Sequence, residues 1–483
     1  MRILLIQPDH RSEEVGFRLV AMPEPLALEL LGAMVPDHDV RILDLRVDPD
    51  LNAMLTSFNP DIVAVTALTC EVYAAREILQ KVKDFSSTVF SVVGGHHATL
   101  LPEDFQLPYV DAICLGEGEF VFPQLVDALE KEKTLDCVHN LVWRHSDGRF
   151  IHNGRDVPYT GTEFIPHPRR ELVADYRHAY SWLYDKPDTA IATGRGCPYR
   201  CNFCSVWEFY SGRTHQMSAR RVLEEIRSVE TKHVTFLDDN FLLNAGRENE
   251  IADLVKAEGI HMRFGMECRT DSIARHPPII EKWAGIGLEN VLLGLEGISD
   301  DVLISVNKRN TAWANNEAIR ILHDNGVMIW GAFIVDPDWT VDQFNALRDY
   351  VYEKNITHTQ FTILTPLPGT ELYRQKRKDL LTSDYTCFDT LHAVVPTRLP
   401  REEFYRQFAS LYARRNIGFI HEYLRQGRLT MEQVRFGDRI FRQFSRWESY
   451  MEHDPILKKI RITGTATNGD LLRDSKGDAS HSR

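Results

Sequence analysis

The residues best suited to chemistry lie in the segment 190–204, where Cys197, Cys201 and Cys204 are spaced C-x3-C-x2-C. The segment reads as a short strand that ends at Gly194 and Gly196, followed by a loop carrying the thiols. Three thiolates on one loop can converge on a soft metal centre and leave one coordination position open. A closed structural site has four protein ligands, so the open position is the informative feature. A 4Fe–4S cluster held by three cysteines keeps one iron free for a substrate or cofactor, and the expectation is a reaction centre. The structural alternatives are a zinc knuckle and three unrelated buried thiols. Zinc sites usually come as two separated ligand pairs, and no second pair follows downstream. Cys114, Cys137, Cys268 and Cys387 stand singly, as ordinary buried thiols do.

With aromatic Phe203 just before the last thiol, these cysteines resemble the signature of the radical S-adenosylmethionine (SAM) enzymes. The resemblance implies that SAM chelates the open iron through its amino and carboxylate groups, with Phe203 beside it. One electron from the cluster then cleaves the sulfonium, and the resulting 5′-deoxyadenosyl radical abstracts a substrate hydrogen.

These cysteines must be positioned by a chain of 483 residues, long enough for two to three domains. Apolar residues make up 43% and charged residues 26%, as in ordinary globular proteins. A net charge of −13 argues against a general nucleic-acid binder. The first residues enter a strand without the basic and apolar regions of a signal peptide. No window approaches about 18 uninterrupted apolar residues. Eight cysteines without a paired framework suit a reducing compartment. The expectation is a cytoplasmic protein, with peripheral membrane association left open.

Strands are expected at 2–7, 40–45, 61–67, 88–93 and 112–115, with amphipathic helices over 25–34 and 72–82. This alternation predicts a doubly wound parallel sheet, Rossmann-like, spanning 1–137. Such sheets bind ligands at the carboxyl ends of their strands. Those ends carry Asp9-His10, Thr66 to Cys70, Gly94 to Thr99 and Gly116 to Glu119. Taken singly, the glycines need do no more than make tight turns. Gly94-Gly95-x-His97-x-Thr99 and Gly116-Glu117-Gly118-Glu119 together resemble the loops of the cobalamin-binding domain in cobalamin-dependent radical SAM proteins. One departure is informative: the D-x-H-x-x-G pattern that places a histidine on cobalt is absent, because Asp9 and His10 are adjacent. The resemblance therefore implies cobalamin without a histidine on cobalt, its lower face near Leu68, Thr69 and Cys70. Thr66 and the glycine loops would complete its site, and His10 reads as a loop histidine.

Residues 138–188 read as a connector, with a small hairpin about Ser146 to Gly148, an irregular crossing at Pro158, Pro166 and Pro168, and the basic pair Arg169-Arg170. Tyr176, Tyr180, Trp182 and Tyr184 are expected to pack between domains rather than touch substrate. From residue 189 to 380 the alternation restarts, with strands at 233–237, 263–268, 290–295, 328–335 and 359–364. With the cluster strand this predicts a partial (β/α)6 barrel, its chemistry on the loops at the carboxyl ends of its strands. Asp238, Glu267, Arg269 and Glu296 are SAM-binding candidates by analogy with the family's strands; a salt bridge at the barrel rim is the alternative for each. Asp238 and Asp239 could face either SAM or the substrate, and the sequence does not separate these two roles. A helical region over 381–462 is expected from helices near 402–426 and 430–453. The aromatic face of Phe441, Phe444, Trp447 and Tyr450 suits an apolar pocket or a membrane surface. Residues 463–483 are expected to be disordered.

The resemblance covers most of the chain and implies methylation of an unactivated carbon with SAM, a 4Fe–4S cluster and methylcobalamin. The Met22 to Leu26 stretch and the Pro396 to Pro400 turn are most similar to hopanoid C-3 methylases. Bacteriochlorophyll side-chain methylases and cobalamin-dependent radical cyclases share the layout; a non-catalytic cobalamin or iron–sulfur sensor and a zinc-stabilised binding protein come from other classes. The partners implied are a small-molecule lipid substrate and a reducing donor such as flavodoxin or ferredoxin.

Overall fold

In a computed structural model of the chain, residues 1–9, 16–154, 161–413, 417–427, 429–454 and 457 are described. Every side chain from Ile3 to Ile6 in strand β1 (Arg2–Gln7) is buried. Alternate residues of a strand face opposite ways. Leu4 and Ile6 accordingly enter one core while Ile3 and Leu5 enter another. A strand buried on both faces needs helices on each side. Helices α1 (Leu26–Met34) and α3 (Gly118–Glu130) supply Leu28 and Phe122 to one layer, and α2 (Val72–Phe85) supplies Ile78 and Leu79 to the other.

β1 pairs in parallel with β2 (Asp39–Asp44) and β3 (Ile62–Thr66), and β4 (Phe90–Gly94) and β5 (Ala112–Cys114) continue the sheet in the order β2-β1-β3-β4-β5. This order reverses at β1 and β3 and opens a crevice at the carboxyl ends there. The sheet does not stop at residue 137, where the sequence suggests a boundary. The hairpin β6 (Leu141–Arg144) and β7 (Phe150–His152) adds to β5 in antiparallel fashion and covers its otherwise unpaired edge.

Six parallel strands follow in chain order: β8 (Thr189–Ile191), β9 (His233–Phe236), β10 (Arg263–Arg269), β11 (Leu288–Glu296), β12 (Met328–Val335) and β13 (His358–Ile363). Among the described residues β13 does not pair with β8, so the barrel is open, as the partial (β/α)6 expectation requires. Tyr412 covers the open edge: its hydroxyl accepts from Phe361 N at 3.0 Å and lies 3.2 Å from Phe361 O.

The connector aromatics pack between the domains. Ser181–Trp182 pairs with Ala21–Met22, and buried Trp182 donates to Asn290 Oδ1 at 3.0 Å. The C-terminal region differs from the expected two long helices. It forms α5 (Arg401–Ser410), α6 (Ile417–Arg425), α7 (Met431–Phe444) and α8 (Trp447–Glu452). Between the last two, the Tyr450 hydroxyl donates to Phe444 O at 2.8 Å across the break. Phe444 and Tyr450 are fully buried, and Phe441 and Trp447 pack against the barrel core. The aromatic face read for a membrane surface is therefore spent on the core, because capping the open barrel buries it. Among the described residues no helix is long and apolar enough to cross a membrane. His10, Pro158 and residues 463–483 lie outside the described residues.

The two domains are joined through Arg170. Its guanidinium pairs with Glu24, reaches Glu225 Oε1 at 2.8 Å and donates to Ala190 O at 2.8 Å, while Glu24 accepts from Ala190 N at 2.9 Å. Glu29 lies 3.8 Å from Arg170 and is pushed up to about 9, first by burial and then by Glu24. With that proton Glu29 adds no second buried negative charge beside Glu24. Arg170→Met is expected to destabilise the protein by about 3–5 kcal/mol, since it strands buried carboxylates. The loss should shrink in acid, where Glu24 and Glu225 can be protonated; urea unfolding at two pH values checks both statements.

Candidate functional site

The thiol loop is shaped by the end of β9. Asp238 accepts from Thr193 N at 2.9 Å and from Thr193 Oγ1 at 2.7 Å, and Asp239 accepts from Gly196 N at 3.0 Å. Gly196 has a φ of +77°, and a Cβ there would stand 2.2 Å from Arg213 O, so only glycine fits the turn. The loop is also tied to the 305–307 segment, where Asn202 N donates to Val306 O at 3.2 Å and Asn307 Nδ2 to Arg200 O at 2.5 Å. Cys201 is buried, and Cys197 and Cys204 are half-buried. Burial pushes all three thiols up, Cys204 to about 12, while Arg269 opposes the rise at Cys197, and Lys308 and Arg269 oppose it at Cys201.

The nearby cations Arg269 and Lys308 suit a centre whose thiolates carry excess negative charge.

Around the barrel mouth, cations and carboxyls are paired and crowded. Arg269 is buried over the Tyr199 ring at 3.6 Å, donates to Asp271 Oδ1 at 2.9 Å and reaches Lys308 O at 2.8 Å. Lys308 pairs with Glu296 at 2.5 Å, and this pairing accompanies a bulge in β11 that gives Glu296 a φ of +58°. Glu267 is pushed up to about 8 by burial and then by Asp239 and Asp238. Both aspartates rise to about 6, chiefly by burial. Carboxyls that crowd one another here would be relieved by a cation, and the sulfonium and ammonium of SAM fit that demand. Of the SAM candidates Phe203, Asp238, Glu267, Arg269 and Glu296, none is on the lining of the cavity between the two domains; both oxygens of Asp238 are committed to Thr193, and its neighbour Asp239 is on that lining. Phe203 is half-buried on the thiol loop.

A cavity of about 380 Å³ opens between the two domains. Its floor is Leu28, Leu31, Ala64, Val92 and Phe122, and its rim is formed by the sheet loops and by Arg195, Phe209, Tyr210, Leu237 and Asp239 of the barrel. Gly95, at φ +97°, brings its backbone so close to β3 that a Cβ would stand 2.7 Å from Thr66 Oγ1. An apolar floor with a glycine rim suits a large corrinoid. Thr66, Leu68, Gly94, Gly95, Gly116, Glu117, Gly118 and Glu119 line this cavity.

Four sequence candidates, Thr69, Cys70, His97 and Thr99, are not on its lining. His97 is buried against Asp104 at 2.9 Å and Thr69 at 3.2 Å, because its ring turns toward Phe105 and Tyr385. The Thr99 hydroxyl donates to Gly95 O at 2.8 Å and accepts from Gly116 N at 2.9 Å, joining the two glycine loops. Cys70 lines a separate crevice with Asp9 and Tyr73. Glu117 and Glu119 pair with Arg195 at 2.8 and 2.6 Å, tying the sheet loop to the thiol loop. Sequence reasoning missed Arg195 and His96. His96 lines the cavity, stacks on Phe209 at 4.4 Å and keeps Nε2 without a hydrogen bond. Burial lowers it to about 4, so it is a neutral imidazole at neutral pH. The doubled histidine after Gly95 was the available signal, and of the two rings His96 is on the cavity lining.

Comparisons with known proteins agree with this geometry. The family model of the radical SAM superfamily matches residues 191–351, and that of the B12 binding domain matches residues 18–126. The hopanoid C-3 methylase of Methylococcus capsulatus is 31% identical over 407 residues, covering 82% of this chain and 77% of its own. The anaerobic magnesium-protoporphyrin IX monomethyl ester cyclase of Rubrivivax gelatinosus is 27% identical over 438 residues, covering 86% and 77%. The cobalamin-dependent SAM radical enzyme OxsB, solved with aqua-cobalamin and SAM bound, superposes with a TM-score of 0.69 at 16% identity over 99% of this chain and 82% of its own, which shows a shared fold.

Glu267 makes a test of the mouth's electrostatics. Its raised folded-state pKa means the folded protein holds this proton more tightly than the unfolded chain does. The contribution of Glu267 to stability without SAM should therefore be full below about 4.5 and be lost as pH rises through about 8. Thermal unfolding across that interval should show this decline in the parent and a shallower one in Glu267→Gln. Equal slopes would remove Glu267 as its source.

Proposed function

The chain belongs to the cobalamin-dependent radical SAM methyltransferases, and from that premise we propose that it methylates an unactivated carbon of a hopanoid, at C-3. The observation that carries the two-cofactor arrangement is the single cavity lined jointly by the sheet's glycine loops and by the barrel loops. The substrate assignment is supported by the hopanoid C-3 methylase relative. When bound, the cluster with SAM supplies a carbon-centred radical that takes a hydrogen atom from the substrate, and cobalamin supplies the methyl group.

In this reading Cys197, Cys201 and Cys204 hold the cluster, and Arg269 and Lys308 balance its negative charge. Glu267, Arg269 and Glu296 orient SAM, with Asp239 taking the place first given to Asp238. Gly94, Gly95 and Gly116 to Glu119 admit the corrinoid, with Leu68 and His96 beside it. The Arg195 pairs with Glu117 and Glu119 keep the two cofactor loops in register. The substrate would lie where Leu237, Phe209 and Tyr210 narrow the cavity and exclude water. A low-potential donor such as flavodoxin or ferredoxin would supply the electron. A lipid substrate calls for peripheral membrane contact, and Ile304 and Trp313, 71% and 68% exposed beyond the carboxyl end of β11, are the apolar side chains suited to it.

The cyclase relative supports a second reading, radical ring closure without methyl donation. Anaerobic reconstitution with iron, sulfide and hydroxocobalamin, then reaction with trideuteromethyl SAM and a hopanoid lipid extract, separates the two. A labelled methyl on the hopanoid together with 5′-deoxyadenosine, both lost in Cys201→Ala, is expected. Deoxyadenosine with an unlabelled hopanoid would sink the substrate assignment; in a parallel reaction given magnesium-protoporphyrin IX monomethyl ester in place of the extract, an unlabelled cyclised product would favour the second reading.

A further inference from the structure

At the amino-terminal rim of the barrel, on the far side from the cavity, Asp185 of the connector meets His233 of β9 and Glu289 of β11. One ligand atom from each lies within 4.8 Å of the other two. Asp185 and His233 are 3% and 1% exposed. Asp188 Oδ1 stands 2.6 Å from His233 Nδ1 and takes its proton in a hydrogen bond, so the lone pair of Nε2 faces the cluster of ligands. Nε2 and Asp185 Oδ2 are 3.4 Å apart, at an angle that leaves both without a hydrogen bond. Buried polar atoms are nearly always satisfied, and two facing orphans call for a missing partner. Arg263 stands on the outer side, pairing with Asp185 Oδ1 and with Glu289 Oε2 at 3.2 Å, and leaves Asp185 Oδ2 turned inward.

A carboxylate that orients one histidine nitrogen while the other points at further carboxylates is the arrangement seen around bound metal ions. One imidazole with two carboxylates suits a divalent first-row ion such as manganese or zinc. We propose that Asp185, His233 and Glu289 bind such an ion, with Asp188 orienting His233. The ion would offset the crowding of Asp185, Asp188 and Glu289, which Arg263 offsets only in part. It would also staple the connector to the starts of β9 and β11, far from the thiol loop.

The test uses cluster- and cobalamin-loaded protein titrated with Mn²⁺, with free Mn²⁺ read by electron paramagnetic resonance and Zn²⁺ then added. One bound Mn²⁺ per chain is expected, displaced by Zn²⁺ because zinc binds such ligands more tightly. Asp188→Asn and Glu289→Gln should each weaken binding by about 10- to 100-fold, and Mn²⁺ should raise the parent's unfolding temperature alone. The Glu289 side chain is 25% exposed, so its variant should retain the fold, which circular dichroism verifies. No Mn²⁺ bound by the parent, or unchanged affinity in Glu289→Gln, would overturn the proposal. Either result would leave His233 as a buried structural ring held between Asp188 and Asp185.

Discussion

The arrangement of both cofactor domains depends on one buried cation. An unpaired guanidinium inside a protein is prohibitively costly, so Arg170 must be surrounded by acids wherever it goes. Its partners come from separate parts of the chain: Glu24 and Glu29 from the entry and body of α1, Glu225 from the barrel helix at Ala219–Ser228, and the carbonyl of Ala190 from the cluster strand. Satisfying one side chain therefore requires the sheet domain, the connector and the first barrel strand to converge. A proton on Glu29 keeps the acids from overwhelming the single guanidinium. The pairs of Arg195 with Glu117 and Glu119 repeat this solution nearer the chemistry.

With the domains fixed, the mouth of the barrel gathers ionisable groups. Arg269 and Lys308 oppose the rise of the thiols, each paired with an acid of its own, and Asp238, Asp239 and Glu267 crowd one another. Such crowding is costly without ligands: Glu267 holds a proton to well above the usual carboxylate range. It suits a site for an anionic cluster beside a sulfonium. The same low-dielectric surroundings that raise Glu267 keep His96 neutral in the cavity.

The open barrel has a second consequence. A parallel sheet that does not close presents an edge strand, and edge strands need cover. Tyr412 meets both backbone groups of Phe361, and Phe444 and Tyr450 pack behind it. The C-terminal helices thus complete the barrel's core, with Phe17 of the sheet domain stacked on Phe444 at 5.5 Å. Their aromatic residues serve closure, whatever surface the substrate comes from.

The sequence by itself determined the elements and the chemistry carried by residues near one another in the chain. The thiol spacing of Cys197, Cys201 and Cys204 marked a candidate cluster loop, the glycines at 94–95 and 116–118 marked loops that line the cavity between the domains, and apolar alternation separated sheet from barrel. These are short-range properties: a strand's period, a turn's need for glycine and a loop's ligand spacing all lie within a few residues. Tertiary structure decided what depends on distant partners. Asp239 rather than Asp238 faces the cavity because Thr193 claims the other. His96 rather than His97 lines it because Asp104 and Thr69 hold the second ring. The aromatic C-terminal face turned inward because an open barrel edge, invisible in any local pattern, needed to be buried.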